Sequence, residues 1–271
     1  MALIRAVVGV TITASVIYLV FALTWGLNYG REPLRARLDY DAARVTPDAV
    51  AAFARERVER VNALHGQAHA AEWMTWEALP VALGAGYRLV QRELADVRPA
   101  VPGIPKWSIL TFYFERAGVS GMTNPFVLEV IVDRSQLPFE RPFVAAHEWA
   151  HLAGYAREDE ANFIGWLICR HGSPGAQYSA ELAALVSALA SIPGSDRNAI
   201  VGAIGPGPRR DIRAIADRSA RVWPRLRQPA WWLYDRYLRA NRVEHGVRSY
   251  GAALELMVGT RRDERGAPVR R

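Results

Sequence analysis

Cysteine and lysine are the scarcest residue types with useful chemistry in this chain, with one of each among 271 residues. The lone Cys169 excludes an intramolecular disulfide, and its apolar surroundings predict a buried side chain rather than a nucleophile. Because Lys106 is the only lysine, arginine carries the positive charge behind the net charge of +7. The arginines are scattered and no DNA- or RNA-binding signature accompanies them, so nucleic acid is not predicted as a partner. Attraction to anionic lipid explains the excess more simply.

Charged residues are absent from Ala6 to Gly30, a run bounded by Arg5 and Arg31. Its apolar core is long enough to cross a hydrocarbon layer of about 30 Å as a helix. Trp25 and Tyr29 then fall where an interfacial aromatic belt belongs. A secretory signal peptide is the competing interpretation, but the run is longer than a typical signal core and lacks a clear small-x-small cleavage site. We therefore predict an uncleaved single-pass membrane anchor.

The chain divides at the end of this run. Residues 1–30 are the predicted transmembrane anchor, and residues 31–271 are long enough for one domain with a substantial core. We find no internal repeat and no low-complexity segment. The flanking positive charges lean weakly towards a cytoplasmic domain, but large domains often cross regardless of so small a bias, so the side stays open.

Histidine is also rare, yet two of the six stand in the sequence His147-Glu148-Trp149-Ala150-His151. Positions i and i+4 lie on one face of an α-helix, so both imidazoles can bind one ion while Glu148 projects beside them. This set is typical of a hydrolytic Zn²⁺ centre, in which the metal lowers the pKa of a bound water to roughly 7 and the Glu takes its proton. The motif predicts a zinc metallopeptidase with His147 and His151 as ligands and Glu148 as general base.

The flanking sequence supports a metal-binding helix. Proline and then apolar residues precede the motif, so a helix is predicted to begin near Arg141. Gly154 comes three residues after His151 and is suited to a left-handed turn that folds the chain back towards the metal. A second helix beginning near Arg157 would present Glu158 and Asn162, which are spaced i and i+4, to the first.

This arrangement resembles the gluzincin metallopeptidases, whose third ligand comes from an ExxxD or ExxA(D/N) helix. The resemblance implies that Glu158 is the third metal ligand and that Asn162 orients a ligand histidine. Two departures keep Glu160 as a rival ligand. The linker after His151 is shorter than in most of that clan, and Asn replaces the more usual Asp.

Purely structural roles are the alternative for all of these residues. A pair of histidines on a helix can be partly buried and hydrogen-bonded, and an acidic cluster can be a solvated first turn. The chain has a second i, i+4 pair, His65 and His69. No Glu follows His65 and Gly66 interrupts the helical pattern, so there we predict surface or loop histidines.

The remaining patterns predict a mainly α fold with a small β-sheet, of the α+β class. Thr46-Pro47 is a well-formed helix start, and Pro80 opens another helix. Val127 to Asp133 is the clearest strand, and an exposed edge there could pair with an extended peptide. Further helices are predicted over Ser179 to Ile192, Arg209 to Val222, Ala230 to Ala240 and Val247 to Met257.

Four segments together resemble an uncharacterised bacterial family of membrane-anchored, zincin-like proteins of unknown function. They are Trp25 to Leu34, Pro138-Phe139, His147 to Cys169, and Gly246 to Gly251. The resemblance implies a zincin-like metallopeptidase domain at the bacterial inner (cytoplasmic) membrane. Members commonly carry more than one N-terminal membrane helix, whereas this sequence shows only one. The resemblance implies no substrate, because the family has none assigned.

A zinc hydrolase also needs a donor for the developing oxyanion, and Tyr250 is the predicted phenol, with Tyr155 as a weaker rival. The leading hypothesis is a membrane-anchored zinc metallopeptidase acting on a protein or peptide near the bilayer. A catalytically silent zincin that serves as a sensor or scaffold is one alternative. A zinc hydrolase of non-peptide amide or ester bonds is the other, since zinc-water chemistry does not separate it from proteolysis.

Overall fold

The computed structural model of the protein describes residues 1–95, 100–109, 111–225, 228 and 249–271. Within these residues two strands form an antiparallel hairpin, β1 (Gly121–Asn124) and β2 (Glu129–Val132). The helices, in chain order, are α1 (Ala2–Thr24), α2 (Leu34–Arg37), α3 (Pro47–Ala70), α4 (Leu79–Glu93), α5 (Thr111–Ala117), α6 (Arg141–Leu152), α7 (Glu158–Arg170), α8 (Pro174–Ser191), α9 (Gly194–Gly202), α10 (Pro206–Ser219) and α11 (Ser249–Gly259). The described part is thus mainly helical with a two-stranded sheet, as predicted.

Two predicted helices fall wholly or partly outside the described residues. The segment from Ala230 to Ala240 lies outside them, as do the first residues of the helix predicted from Val247. The rest of that second helix corresponds to α11.

Helix α3 follows its local sequence at the start and departs from the prediction at the end. The Thr46 hydroxyl accepts a hydrogen bond from the Ala49 N–H at 3.1 Å, so the helix begins at Pro47 as predicted. It then continues through Gly66 to Ala70, so the prediction that Gly66 interrupts the helix is wrong and the two histidines do not lie in a loop. His69 is exposed and His65 partly exposed, in agreement with the surface alternative. A helical Gly costs about 1 kcal/mol relative to Ala, and packing of α3 along α8 outweighs that cost.

Strand β2 is shorter than the strand predicted over Val127 to Asp133. Residues 125–128 form the turn of the hairpin, with Leu128 at φ +54°, so β2 begins at Glu129. The register of the hairpin pairs Gly121 with Val132 and Asn124 with Glu129.

The edge of the sheet available for a further strand belongs to β1. The other edge of β2 is occupied by Lys106, whose N–H donates to the Val130 carbonyl at 2.8 Å and whose carbonyl accepts from the Val132 N–H at 2.7 Å. Across the described ranges, β1 pairs only with β2. We predicted an exposed edge on the strand from Val127 to Asp133. In the structure, the exposed edge belongs instead to the partner strand, β1.

Helix α7 is the centre of the hydrophobic core. Helices α4, α6, α8 and α11 all contact it. Cys169 is fully buried, as predicted, and burial raises the pKa of its thiol, which keeps it protonated. A helix that is apolar on most of its circumference is typical of such a position. Its buried apolar residues are Ala161, Phe163, Ile164, Gly165, Trp166, Leu167, Ile168 and Cys169. Because Glu158 is the first residue of α7, the core fixes where that carboxylate lies.

An ion pair is buried where α3 packs on α8. Arg57 Nε lies 3.1 Å from Glu181 Oε2, and the two side chains are 2% and 1% exposed. The guanidinium also lies over the Phe53 ring, at 4.6 Å from its centroid. Removing one partner of a buried pair leaves the other charge without compensation.

We expect Arg57→Met to lower the free energy of unfolding by about 3–5 kcal/mol, because the buried Glu181 side chain would lose its closest charged partner. Chemical denaturation of the full chain in detergent would measure the change. Arg55→Met removes an exposed arginine two residues earlier on α3 and should stay within about 0.5 kcal/mol of the native chain. Equal losses in the two variants would contradict the assignment. Adding Glu181→Leu to Arg57→Met should recover much of the loss.

Helix α1 is long and apolar enough to cross a membrane, and nearly all of it is exposed. A signal sequence satisfies the same criteria, so by composition the helix is either a membrane anchor or a signal sequence. Its C-terminal end packs on the rest of the protein. Phe21 and Trp25 are buried in a small apolar cluster with Ala156.

Candidate metal centre

Helix α6 carries the HExxH residues, and its bounds match the prediction. It begins at Arg141 with Pro142 in its first turn. Glu148 and His151 are buried, and His147 is partly exposed. The helix packs closely on α7 at Gly165, where an added Cβ would lie 3.0 Å from the His147 backbone nitrogen. This small residue lets the two helices approach each other at the metal-binding turn.

The turn between α6 and α7 has the predicted left-handed glycine. Gly154 has φ +86° and its N–H donates to the His151 carbonyl at 2.8 Å. A Cβ at this position would also lie 2.6 Å from Asn28 Oδ1 and 2.7 Å from an Arg31 guanidinium nitrogen. The turn reverses the chain within a few residues, so α7 begins directly beside the histidines.

The structure brings His147, His151 and Glu158 together. His147 Nε2 lies 3.3 Å from Glu158 Oε2, and His151 Nε2 lies 3.5 Å from Glu158 Oε1. The two imidazole rings are perpendicular, with centroids 4.8 Å apart. Ligand atoms at roughly 2.0–2.1 Å from a tetrahedral zinc stand about 3.3 Å from one another. The spacing and the donor types therefore fit a metal ion, although they do not by themselves identify which one.

The outer contacts of the ligands favour metal binding through Nε2. His151 Nδ1 is 2.8 Å from the Tyr155 carbonyl, and because a carbonyl can only accept, Nδ1 carries a proton and Nε2, which faces Glu158, is the nitrogen available to a metal. The sequence assigned an orienting role to Asn162. In the structure, its amide nitrogen donates to the Glu158 carbonyl at 2.8 Å, which steadies the first turn of α7 rather than a histidine.

The charges of the three groups complement one another. Burial opposes ionisation of Glu158, but the adjacent His151 and His147 outweigh it and hold the pKa of that carboxyl well below its usual range. Burial also opposes protonation of His151, yet the Glu158 carboxylate raises the pKa of that imidazole to about 9. Two imidazoles and one carboxylate are a ligand set that binds zinc in hydrolytic enzymes.

Glu148 projects from α6 towards the hairpin. The Thr123 hydroxyl on β1 lies 3.0 Å from Glu148 Oε2 and 2.9 Å from the Glu148 carbonyl. An added Cβ at Gly121 would lie 2.8 Å from Glu148 Oε1, so β1 leaves room for this carboxylate. Burial raises the pKa of Glu148.

The rival ligand Glu160 faces another direction. It is buried, and its Oε1 accepts a hydrogen bond from the Leu34 N–H at 2.7 Å. Burial raises the pKa of its carboxyl to about 7. Glu160 thus joins the segment after α1 to α7, while Glu158 faces the histidines.

The two predicted oxyanion donors have different outcomes. Tyr250 lies in the first turn of α11, but its side chain is outside what the structure describes, so its role stays a prediction. Tyr155 is buried beside the metal-binding turn, and its described contact with the site is made by its backbone carbonyl.

Sequence reasoning missed the contribution of the segment after α1. The Trp25 indole N–H donates to the His151 carbonyl at 3.2 Å, and an Arg31 guanidinium N–H donates to the Ala153 carbonyl at 2.8 Å. These bonds satisfy carbonyls at the C-terminal end of α6. Their partners lie more than a hundred residues away in the chain, so local patterns contained no signal for them.

Fold and site together define a mainly helical protein with an apolar N-terminal helix and a partly buried His-His-Glu group able to hold a metal ion. The chain belongs to the DUF3810 family of proteins of unknown function, whose model matches residues 1–258. Searches of the curated proteins and of the solved structures gave no significant match. The resemblance to a family of unknown function is therefore confirmed, and the family assigns no activity.

Proposed function

We propose that the protein is a membrane-anchored zinc metallopeptidase of zincin type. One observation carries this proposal: a group of three possible ligands is accompanied by a separate buried carboxylate. That carboxylate, Glu148, lies on the same helix as the two histidines. Hydrolysis needs a base next to the reacting water, and a buried carboxylate beside the metal ligands can supply it. Residues 1–30 would supply the anchor and residues 31–271 the catalytic domain.

His147, His151 and Glu158 would hold the metal, and water or substrate would take the fourth position. When bound, zinc would lower the pKa of a coordinated water to about 7 and polarise the scissile carbonyl. Glu148 would accept the proton of the attacking water and pass it to the leaving amine nitrogen. The Thr123 hydroxyl would keep the Glu148 carboxylate in one orientation during both transfers.

The outer strand of the hairpin supports a peptide substrate. Strand β1 carries Gly121 and Thr123, which lie against Glu148, and the strand packs on α6. Its other edge pairs with no described strand. An extended peptide could add to that edge through main-chain hydrogen bonds. Its carbonyls would then lie along the same strand that orients the base.

The position of the site supports a substrate near the bilayer. The end of α1 packs on the hairpin, where the Thr24 hydroxyl donates to the Pro125 carbonyl at 3.2 Å and the Phe21 and Phe126 rings are 6.4 Å apart. Trp25 contacts His151 itself, through its carbonyl. With α1 as an anchor, the metal centre would stand directly at the end of the spanning helix.

Casein cleavage by the full chain in detergent tests this function. We expect cleavage that a chelator abolishes and added zinc restores. In His151→Ala we expect the loss of both cleavage and the zinc ion at the HExxH site. His171→Ala is the matched control, since it removes an exposed histidine at the end of α7 and should retain both.

Two outcomes would overturn the proposal. Zinc bound at this site without cleavage of casein or other peptides would indicate a silent scaffold. Zinc-dependent cleavage of ester or non-peptide amide substrates alone would indicate a different hydrolase.

A further inference from the structure

A second group of metal-binding side chains lies away from the HExxH helix. His65 and His69 stack on one face of α3, with ring centroids 4.3 Å apart. Asp211, on α10, faces both of them. One ligand atom from each residue lies within 4.8 Å of the others. This group shares no residue or helix with the HExxH group.

Three helices converge on one carboxylate oxygen. Asp211 Oδ2 lies 2.8 Å from His69 Nε2 and 3.6 Å from His65 Nε2. The Tyr178 hydroxyl, from α8, donates to the same oxygen at 2.5 Å. Asp211 is 8% exposed and Tyr178 is fully buried, so the anionic part of the group is enclosed.

Hydrogen bonding explains only part of this geometry. The Asp211 Oδ2 atom already accepts from Tyr178 and lies at hydrogen-bonding distance from His69, which together use its two lone pairs. His65 Nε2 points to the same oxygen from beyond hydrogen-bonding distance. The Nε2 atoms of two imidazoles and the Oδ2 atom of one carboxylate converge here, and such a set can bind a transition metal. A hydroxyl that donates to the carboxylate is a common outer contact of metal ligands.

The fold also reserves space for this arrangement. A Cβ added at Gly207, in the first turn of α10, would lie only 2.4–2.6 Å from the His65 imidazole. Just before that helix, the Asn62 side chain accepts from the Gly205 N–H at 2.8 Å and so fixes the start of α10 on α3. The His69 side chain is 32% exposed, which leaves a path for an ion and a water ligand.

We propose that His65, His69 and Asp211 form a second site for a divalent transition-metal ion such as zinc. The ion would brace α10 against α3, and Tyr178 would orient the carboxylate without ligating the metal. The small shift that opens the His69 to Asp211 separation from 2.8 Å towards about 3.3 Å would accommodate an ion. This site is independent of the proposed peptidase activity.

Counting bound metal in the full chain in detergent tests the second site. After zinc loading and dialysis, we expect two zinc ions per native chain. Asp211→Asn keeps the shape and an acceptor for Tyr178 but loses the anionic ligand, so it should retain one ion and full casein cleavage. His151→Ala should also retain one ion, and the double variant none. Tyr178→Phe should retain two, because the hydroxyl is not a ligand.

The outcomes separate the two sites. An unchanged zinc count in Asp211→Asn and in His69→Gln, both checked for native helicity by circular dichroism, would overturn the second site and leave a hydrogen-bonded cluster. If Asp211→Asn fails to fold, His69→Gln alone decides the question, because that side chain is partly exposed. A count that falls in these variants but not in His151→Ala would instead refute the first site and leave the second intact.

Discussion

Glu148→Gln is expected to reduce casein cleavage by roughly 10²–10⁴-fold while leaving the zinc content unchanged. Gln has nearly the same shape as Glu, and its amide oxygen can still accept from the Thr123 hydroxyl, so the fold should be preserved. It cannot take a proton from water at neutral pH. The effect should therefore appear in kcat, with little change in metal binding.

The measurement is casein cleavage and zinc content on the same preparation of the full chain. Glu59→Gln is the matched control, since it makes the same change at an exposed position of α3 and should retain native activity. Substantial cleavage by Glu148→Gln would remove Glu148 from the role of base. A loss of zinc in this variant would instead make Glu148 a ligand.

Glu158→Gln is expected to abolish stoichiometric zinc binding at the HExxH site and cleavage with it. The substitution removes the negative ligand that faces both imidazoles, at 3.3 Å and 3.5 Å. A neutral amide oxygen is a much weaker ligand for zinc than a carboxylate. Cleavage should fall at least as far as in Glu148→Gln, but with a different cause.

Glu160→Gln distinguishes the two carboxylates that the sequence left as rivals. Its amide oxygen can still accept from the Leu34 N–H, so we expect zinc and cleavage to remain. The test compares the Glu158→Gln and Glu160→Gln variants side by side. Zinc content by mass spectrometry and casein cleavage are measured in both, and they show which carboxylate is the third ligand. Zinc lost in Glu160→Gln and kept in Glu158→Gln would reverse the assignment of the third ligand.

The parts of the site that local sequence predicts are those set by helix geometry and turn chemistry. The starts of α3 and α6, the left-handed Gly154 and the start of α7 all match the predictions. Each depends on residues within a few positions of one another, such as Thr46 with Ala49 or Gly154 with His151. The approach of Glu158 to the histidines then follows from the short turn between two helices.

The parts that the sequence did not predict depend on partners far along the chain. Strand β1 is four residues long and is held by pairing with β2, so its own sequence carries little strand signal. The helicity of α3 beyond Gly66 depends on its packing with α8 and α10. Asp211 is more than a hundred residues from His69, and nothing in the spacing of the histidines indicated it.

The hydrogen bonds from Trp25 and Arg31 to the end of α6 also tie the end of α1 to the candidate metal site. A flexible linker would let a catalytic group sample a wide range of heights above a membrane. Here only a short 3₁₀ turn, Gly26–Gly30, lies between the end of α1 and Arg31. With α1 as the anchor, the reactive centre would stand at a fixed height above the lipid surface. A substrate would then be selected by the distance of its scissile bond from the membrane as well as by the sequence around that bond.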